Sequence, residues 1–225
     1  MFILGIDTAT RVCSVALCRD AEVLAESTAD AGVTHSQRLL PSLERLLQQA
    51  GVAKEEIDLV GVSMGPGSFT GLRIGLATAE AFAYARRICL HGVDTLAALA
   101  WNCRQEGVLL APVLDAQKGN YYRALYEWCD GRLECVSPTV ILSRTGLWQD
   151  LQERKCLVLG ECDKLTELPA YVKLAEPGQR MPRATGVCGL ALRDFDPVLD
   201  QKIFGLEPYY LRKSEAEELW EQRHP

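Results

Sequence analysis

Histidine is scarce in this 225-residue sequence, with only three, and no two stand in the H-x-x-x-H or H-E-x-x-H spacing that would set both rings against one metal ion. That removes the simplest route to a metalloprotease. The nine cysteines, at 13, 18, 89, 103, 129, 135, 156, 162 and 188, are odd in number and include no C-x-x-C pair. Zinc is therefore not expected, and the thiols read as reduced and buried in a reducing compartment. No apolar run approaches the ~20 residues of a membrane span. The start MFILGIDTA has neither the basic segment nor the cleavage site of a signal peptide, so the expectation is a cytoplasmic protein that meets no membrane. Nor is there a basic excess: the formal net charge is −6 and both halves of the chain are acidic, which argues against a stand-alone nucleic-acid binder. What is present, 48% hydrophobic and 24% charged residues, suits a globular chain long enough for one large domain or two small lobes.

The stretch GVSMGPGSFTGLRIGLATA at 61–79 follows the short apolar strand IDLVGV and predicts a turn at Gly65-Pro66-Gly67, with a helix starting between Ser68 and Gly71. Strand, glycine turn and helix start together make the layout of an anion site, because free N–H groups and the helix dipole favour negative charge there. Yet no Lys-Ser or Lys-Thr follows the last glycine, and G-x-G-x-x-x-G is one residue too long for a dinucleotide fingerprint. The plainer reading is a tight turn that lets the helix pack closely. Over 71–86 that helix is apolar nearly all round: Leu72, Gly75, Leu76, Ala79, Phe82 and Ala83 form one face and Ile74, Ala77, Ala81 and Ala85 another. Such a helix is buried on two sides, one by its own sheet and the other by a second layer or a partner chain. Gly67, Gly71, Gly75 and Ala79 recur every four residues, which marks Gly71, Leu72, Gly75 and Ala79, with Phe82, as the expected helix-to-helix interface. The leucine stripe of the preceding helix, with Leu39, Leu43 and Leu46, is expected to join it.

A pattern repeats at an offset near 108 residues. Strands MFILGID, VCSVALCR and EVLAEST, with a turn at Asp20-Ala21, are echoed by VLLAPVLD, NYYRALYEW and RLECVSPTVI, with a turn at Asp130-Gly131. Asp7 thereby corresponds to Asp115. Helical segments follow each meander, so the chain reads as α/β, with an N-terminal lobe at 1–105 and a C-terminal lobe at 106–225, each a mixed sheet with helices. Residues 169–186 read as a loop. The C-terminal segment reads as extended and then as a helical tail whose Ser214 and Glu217 suit a capping box.

The paired strand–Asp–turn–strand hairpins resemble the two-lobed fold shared by actin, sugar kinases and chaperone ATPase domains (the ASKHA, ribonuclease H-like fold), where they grip the phosphates of ATP across a cleft. The strings ILGIDTATRVCSVAL, HSQRLLPSLERLL, GVSMGPGSFTGLRIGLATAEAFA and PYYLRKSEAE are more specific, and are similar to the TsaB (YeaZ) family. That resemblance implies a partner of TsaD in making N6-threonylcarbamoyladenosine on tRNA, with TsaE as an ATPase partner and TsaC-type synthases supplying the threonylcarbamoyl adenylate. It also implies contact with tRNA only through the complex, while the apolar face of the 71–86 helix, rarely left bare in water, leads to the expectation of a homodimer when alone. The metal ligands of TsaD fall here on Thr95 and Leu99, so neither a metal, a cofactor nor a catalytic residue is expected. Asp7 is followed by Thr8-Ala9-Thr10, and Asp115 by Ala116, where kinases of the fold place a glycine. Gln117 and Asn120 depart from the Arg and Glu of the family's second hairpin. Asp7, Gly65, Gly67, Ser68 and Asp115 are thus at most a vestigial nucleotide site; the alternative they support is an independent ATPase or kinase. His35 and His91 read as packing residues, and His224 lies in the tail.

Overall fold

In the computed structural model, which describes residues 1–30, 32, 34–198, 203–212 and 220, two five-stranded sheets share one topology. In the first, β1 (Phe2–Asp7), β2 (Val12–Arg19) and β3 (Glu22–Asp30) form an antiparallel meander, and β4 (Leu59–Gly65) and β5 (Cys89–Asp94) add in parallel beyond β1, giving the order β3-β2-β1-β4-β5. In the second, β6 (Leu109–Asp115), β7 (Asn120–Cys129), β8 (Arg132–Ser143), β9 (Cys156–Gly160) and β10 (Val172–Leu174) take the order β10-β9-β6-β7-β8. Read from the meander outward, the two orders are the same. Asp7 and Asp115 end the corresponding strands β1 and β6. Central strands such as β1 and β4 are apolar on both faces because helices cover each side of the sheet.

Helices α1 (His35–Ala50) and α2 (Phe69–Arg86) cover one face of the first sheet. The α1 helix buries His35, Leu39, Leu43 and Leu46 and stops at Gly51, whose φ of 65° closes the last turn. The α2 helix starts at Ser68, whose hydroxyl accepts the Gly71 amide, and buries Gly71, Leu72, Gly75, Leu76, Ala79 and Ala83. This corrects the expected interface. Leu39, Leu43, Leu46 and Ala79 sit in the core of the first lobe, Phe82 packs on the rim of that core, and Gly71, Leu72 and Gly75 are buried beside it. The glycine stripe faces the lobe's own β1–β2 turn, not a second helix. A Cβ at Gly67 would overlap the carbonyl of Ala9, one at Gly71 the carbonyl of Thr8, and one at Gly75 the Thr8 hydroxyl.

Helix α3 (Thr95–Ala100) is an element that the sequence pattern does not mark, and Thr95 and Leu99, matched to metal-ligand positions, lie within it. It is wholly buried and wedged between the lobes, touching β4, β5, β6 and β7. The α4 helix (Arg144–Asp150) packs on β7 and β8. Within the stretch read as a loop at 169–186, β10 pairs with β9 and α5 (Ala184–Asp194) begins. The α5 helix does not join the second sheet. It lies on β1, β2 and β4, where Gly5 and Gly61 leave room for Ala184, Val187 and Ala191. The division at 105/106 therefore misplaces the C-terminal part of the chain, which returns to cover the open face of the first sheet. The helical tail, with Ser214 and Glu217, and His224 lie outside the described residues.

A glycine inside a helix ordinarily gains about 1 kcal/mol when replaced by alanine. Gly71→Ala is expected to do the reverse, lowering stability by about 1–3 kcal/mol, because the new methyl meets a backbone carbonyl that cannot rotate away. Urea unfolding of the two proteins checks this, and a stabilised variant would show that the turn can yield.

Candidate functional site

Between the lobes lies a cleft of about 700 Å³. Its walls are the two hairpin turns (Thr10 and Arg11 facing Asp115 and Gln117), the start of α2, and Tyr209, Tyr210 and Arg212 of the C-terminal segment. That segment crosses the mouth of the cleft. The Tyr209 amide donates to the Met64 carbonyl at 2.6 Å, the Tyr210 ring lies 4.7 Å from Phe69, and Arg212 donates to the Ala116 carbonyl at 2.6 Å. Nothing in composition or periodicity singled these residues out; only the resemblance of the PYYLR string touched them.

Of the residues expected to keep a trace of a nucleotide site, Gly67, Ser68 and Asp115 line the cleft and Asp7 and Gly65 do not. Gly65, at φ 112°, has the carbonyl of Tyr209 within 2.8 Å of where a Cβ would stand, so it makes room for the crossing segment. Asp7 is fully buried. It accepts the Ser63 hydroxyl on one oxygen and the Ala9 amide, at 3.1 Å, on the other. Its carboxylate thus ties the β1–β2 turn to β4. The donors that an anion would seek are largely spent: the Ser68 amide is taken by the Ala9 carbonyl at 2.6 Å and the Gly71 amide by the Ser68 hydroxyl at 3.2 Å. His35 fixes the same turn from α1, with Nε2 2.9 Å from the Thr10 carbonyl.

The second turn is built differently. Asp115 accepts the Gln117 amide at 2.6 Å and the Lys164 ammonium at 2.8 Å, while its own amide donates to Glu161 at 2.7 Å. Burial pushes the Glu161 carboxyl up, opposed by the Asp115 amide. Residues 117, 118 and 119 all have positive φ, and Gly119 faces open space. At the positions matched to metal ligands, the Thr95 hydroxyl accepts the Gly65 amide at 3.1 Å and Leu99 is buried in the core between the lobes. Leu99 has no donor atom, and the Thr95 hydroxyl oxygen is engaged by the Gly65 amide. Just before them, Asp94 caps α3 through the Ala97 amide at 2.8 Å and accepts the Tyr126 hydroxyl of β7 at 3.1 Å, a polar link between the lobes that sequence reasoning missed. His91 lies within β5, opposite Gly61 of β4.

Two sheets of one topology, joined through a buried wedge and facing each other across a cleft, define a protein of the actin-like ATPase fold class. The ethanolamine utilization protein EutJ from Carboxydothermus hydrogenoformans shares this fold, at a TM-score of 0.53 over 84% of this chain and 89% of that one, with 11% identity. The family model described as TsaD, tRNA N6-adenosine threonylcarbamoyltransferase, matches residues 23–155. The Bacillus subtilis (strain 168) protein named tRNA threonylcarbamoyladenosine biosynthesis protein TsaB is 33% identical over 228 residues, covering 98% of both chains. A structure of YeaZ from Pseudomonas aeruginosa superposes with a TM-score of 0.74 and 25% identity, over 93% of this chain and 99% of that one. The chain belongs to the TsaB (YeaZ) family, a relative of the TsaD transferases. Among the described residues, no helix is long and apolar enough to cross a membrane.

Burial raises the Asp7 carboxyl from an ordinary 3.8 to about 6, against the opposing hydrogen bonds from Ser63 and Ala9. The folded state therefore holds this proton more tightly than the unfolded chain, and stability falls as pH rises from about 4 through 6, by about 3 kcal/mol. Asp7→Asn cannot ionise; its Oδ1 still accepts the Ala9 amide, while its Nδ2 can only donate, so the Ser63 hydroxyl must turn to accept from it. Its unfolding free energy is expected to gain about 3 kcal/mol on the wild type between pH 4 and pH 7.5. Parallel urea titrations at the two pH values check this; a difference that does not change with pH would mean that Asp7 does not titrate in this range.

Proposed function

We propose that the chain is a non-catalytic partner of a TsaD-type transferase in forming N6-threonylcarbamoyladenosine on tRNA, and that it docks through the outward face of α2. The reaction is transfer of the threonylcarbamoyl group from its adenylate to the N6 amine of the adenosine beside the anticodon. TsaD carries out the chemistry, TsaE serves as the ATPase partner, and tRNA is met as part of that assembly in the cytoplasm. The observation that carries the reading is the second apolar face of α2. Ala77, Ala81 and Ala85 are exposed at four-residue spacing, flanked by half-buried Ile74 and by Tyr84 at 63% exposure, and Leu40 on the adjoining α1 is 58% exposed. Small residues at that spacing let a second helix approach closely, and a continuous apolar strip of this kind is rarely left bare in water.

The TsaD-type occupant is favoured because the TsaD family model spans both α1 and α2. A transferase built on the same two helices can meet them with its own counterparts in a pseudo-twofold pairing. When the partner is absent, a second copy of this chain can take the same face. The absence of catalysis in this reading rests on Thr95 and Leu99, and on the first hairpin turn, whose space for a phosphate is filled by α2. An independent ATPase would have to work from the second turn alone, and isolated chain is expected to bind ATP weakly and not turn it over.

Ala81→Arg places a charge on the outward face without touching the core. It is expected to weaken association with the TsaD-type partner about a hundredfold or more, while leaving the melting temperature near that of wild type. Sedimentation of each protein, alone and mixed with the partner, checks this. Normal melting with normal binding would remove α2 from the interface. Ala79→Arg, by contrast, buries its charge inside the lobe and is expected to unfold it.

A further inference from the structure

On the face of the first sheet opposite α1 and α2, the β2–β3 turn, the segment after α3 and helix α5 enclose a second cavity of about 700 Å³. Three arginines line it: Arg104, Arg183 and Arg193. Two already have carboxylate partners, since Arg183 pairs with Glu26 and Arg193 pairs with Asp194 at 2.6 Å. The one carboxylate in the lining, Asp20, is held by the N-terminal amine at 2.8 Å. Arg104 differs from all of these. Its guanidinium lies over Trp101, 4.5 Å from the ring centroid, and beside Trp128 at 5.4 Å, and among the described residues no acceptor receives any of its N–H groups. The two indoles, themselves 5.0 Å apart, hold an exposed cation in place without neutralising it.

A guanidinium held against two rings with its N–H groups unspent presents a fork of donors, the geometry that phosphate oxygens accept in pairs. We infer that this cavity is a contact site for the phosphodiester backbone of tRNA, anchored by Arg104, with Arg183 and Arg193 in the same lining. The inference rests on the proposed role in tRNA modification, and it adds that this chain touches the RNA itself. Because α5 and α3 cover the sheet face opposite α1 and α2, the cavity stays open when α2 is occupied. A protein docked on α2 and an RNA strand passing over Arg104 therefore do not compete for surface.

The test titrates labelled tRNA against the assembled complex and against this chain alone, for wild type, Arg104→Glu, Arg104→Ala and Lys155→Glu. Lys155 is an exposed cation in the second lobe and controls for net charge. Arg104→Glu is expected to weaken tRNA binding about tenfold or more at moderate salt. Arg104→Ala is expected to lower the slope of log affinity against log salt by about one, and Lys155→Glu to change affinity much less. Melting curves for each variant confirm that the fold is kept. Should Arg104→Glu fail to fold, Arg104→Lys carries the test: it keeps the charge but loses the planar fork, and weaker tRNA binding by it supports the site. Equal affinity and equal slope for folded Arg104 variants would overturn the inference. So would a cavity that inorganic phosphate saturates at millimolar concentration while tRNA affinity ignores Arg104, since the site would then serve free phosphate. Failure of the chain to join the TsaD-type partner refutes the proposed function separately, and the titration of the chain alone still decides the role of Arg104.

Discussion

The β1–β2 turn of the first lobe lies directly on the glycines of α2, and this contact governs how the rest of the lobe is arranged. Thr8 and Ala9 direct their carbonyls at Gly71 and Gly67, and the Thr8 hydroxyl donates to the Gly71 carbonyl at 2.7 Å. No residue with a Cβ could stand at those helix positions without pushing the turn away. Once the turn is seated, the amide of Ser68 is consumed, Asp7 is sealed beneath the turn, and the side of α2 bearing Gly75 and Ala79 must face inward. The alanines at 77, 81 and 85 are then left on the outside. The same contact that fills the space beneath the first hairpin turn also decides which face of α2 points outward.

The two lobes share a topology and differ in what became of their hairpins. In the second, the turn after Asp115 projects into solvent through three consecutive residues of positive φ, and its aspartate engages Lys164 and Glu161 from a neighbouring segment. In the first, the matching aspartate has lost all exposure and carries the desolvation that raises its pKa. A cleft survives between them, but one wall is a structural joint. The C-terminal residues Tyr209, Tyr210 and Arg212 then run from the α2 side to the second hairpin, so the mouth of the cleft is bridged by the chain itself.

Much of this was legible in the sequence. Alternating apolar residues broken by Asp20-Ala21 and Asp130-Gly131 mark both meanders, and the leucine spacing of 36–50 marks α1 and its buried side. The two apolar faces of α2 were legible too, but not which one points outward. Both carry small residues four apart, and the choice depends on where a turn sixty residues earlier comes to rest. Helix α3 escaped because a single short run of six buried residues, five of them apolar, carries no amphipathic signal. The return of α5 escaped for a related reason: its apolar pattern suits any sheet, and its true address is recorded only by Gly5 and Gly61 on strands far away in the chain. The Arg104 cavity, assembled from four separate segments, had no local signature at all.

That return of α5 bears on how the molecule is made. A ribosome completes all five strands of the first sheet by residue 94, yet the helix that covers their second face ends at Asp194. For the hundred or so residues in between, Ile3, Ala16 and Leu59 have no lid, and the second lobe is synthesised while the first still exposes apolar surface. The N-terminal lobe is thus first to emerge and among the last to be finished. Removal of α5 would leave the older sheet uncovered on one face while the younger one keeps all its strands, so the first lobe is completed only by the last part of the chain.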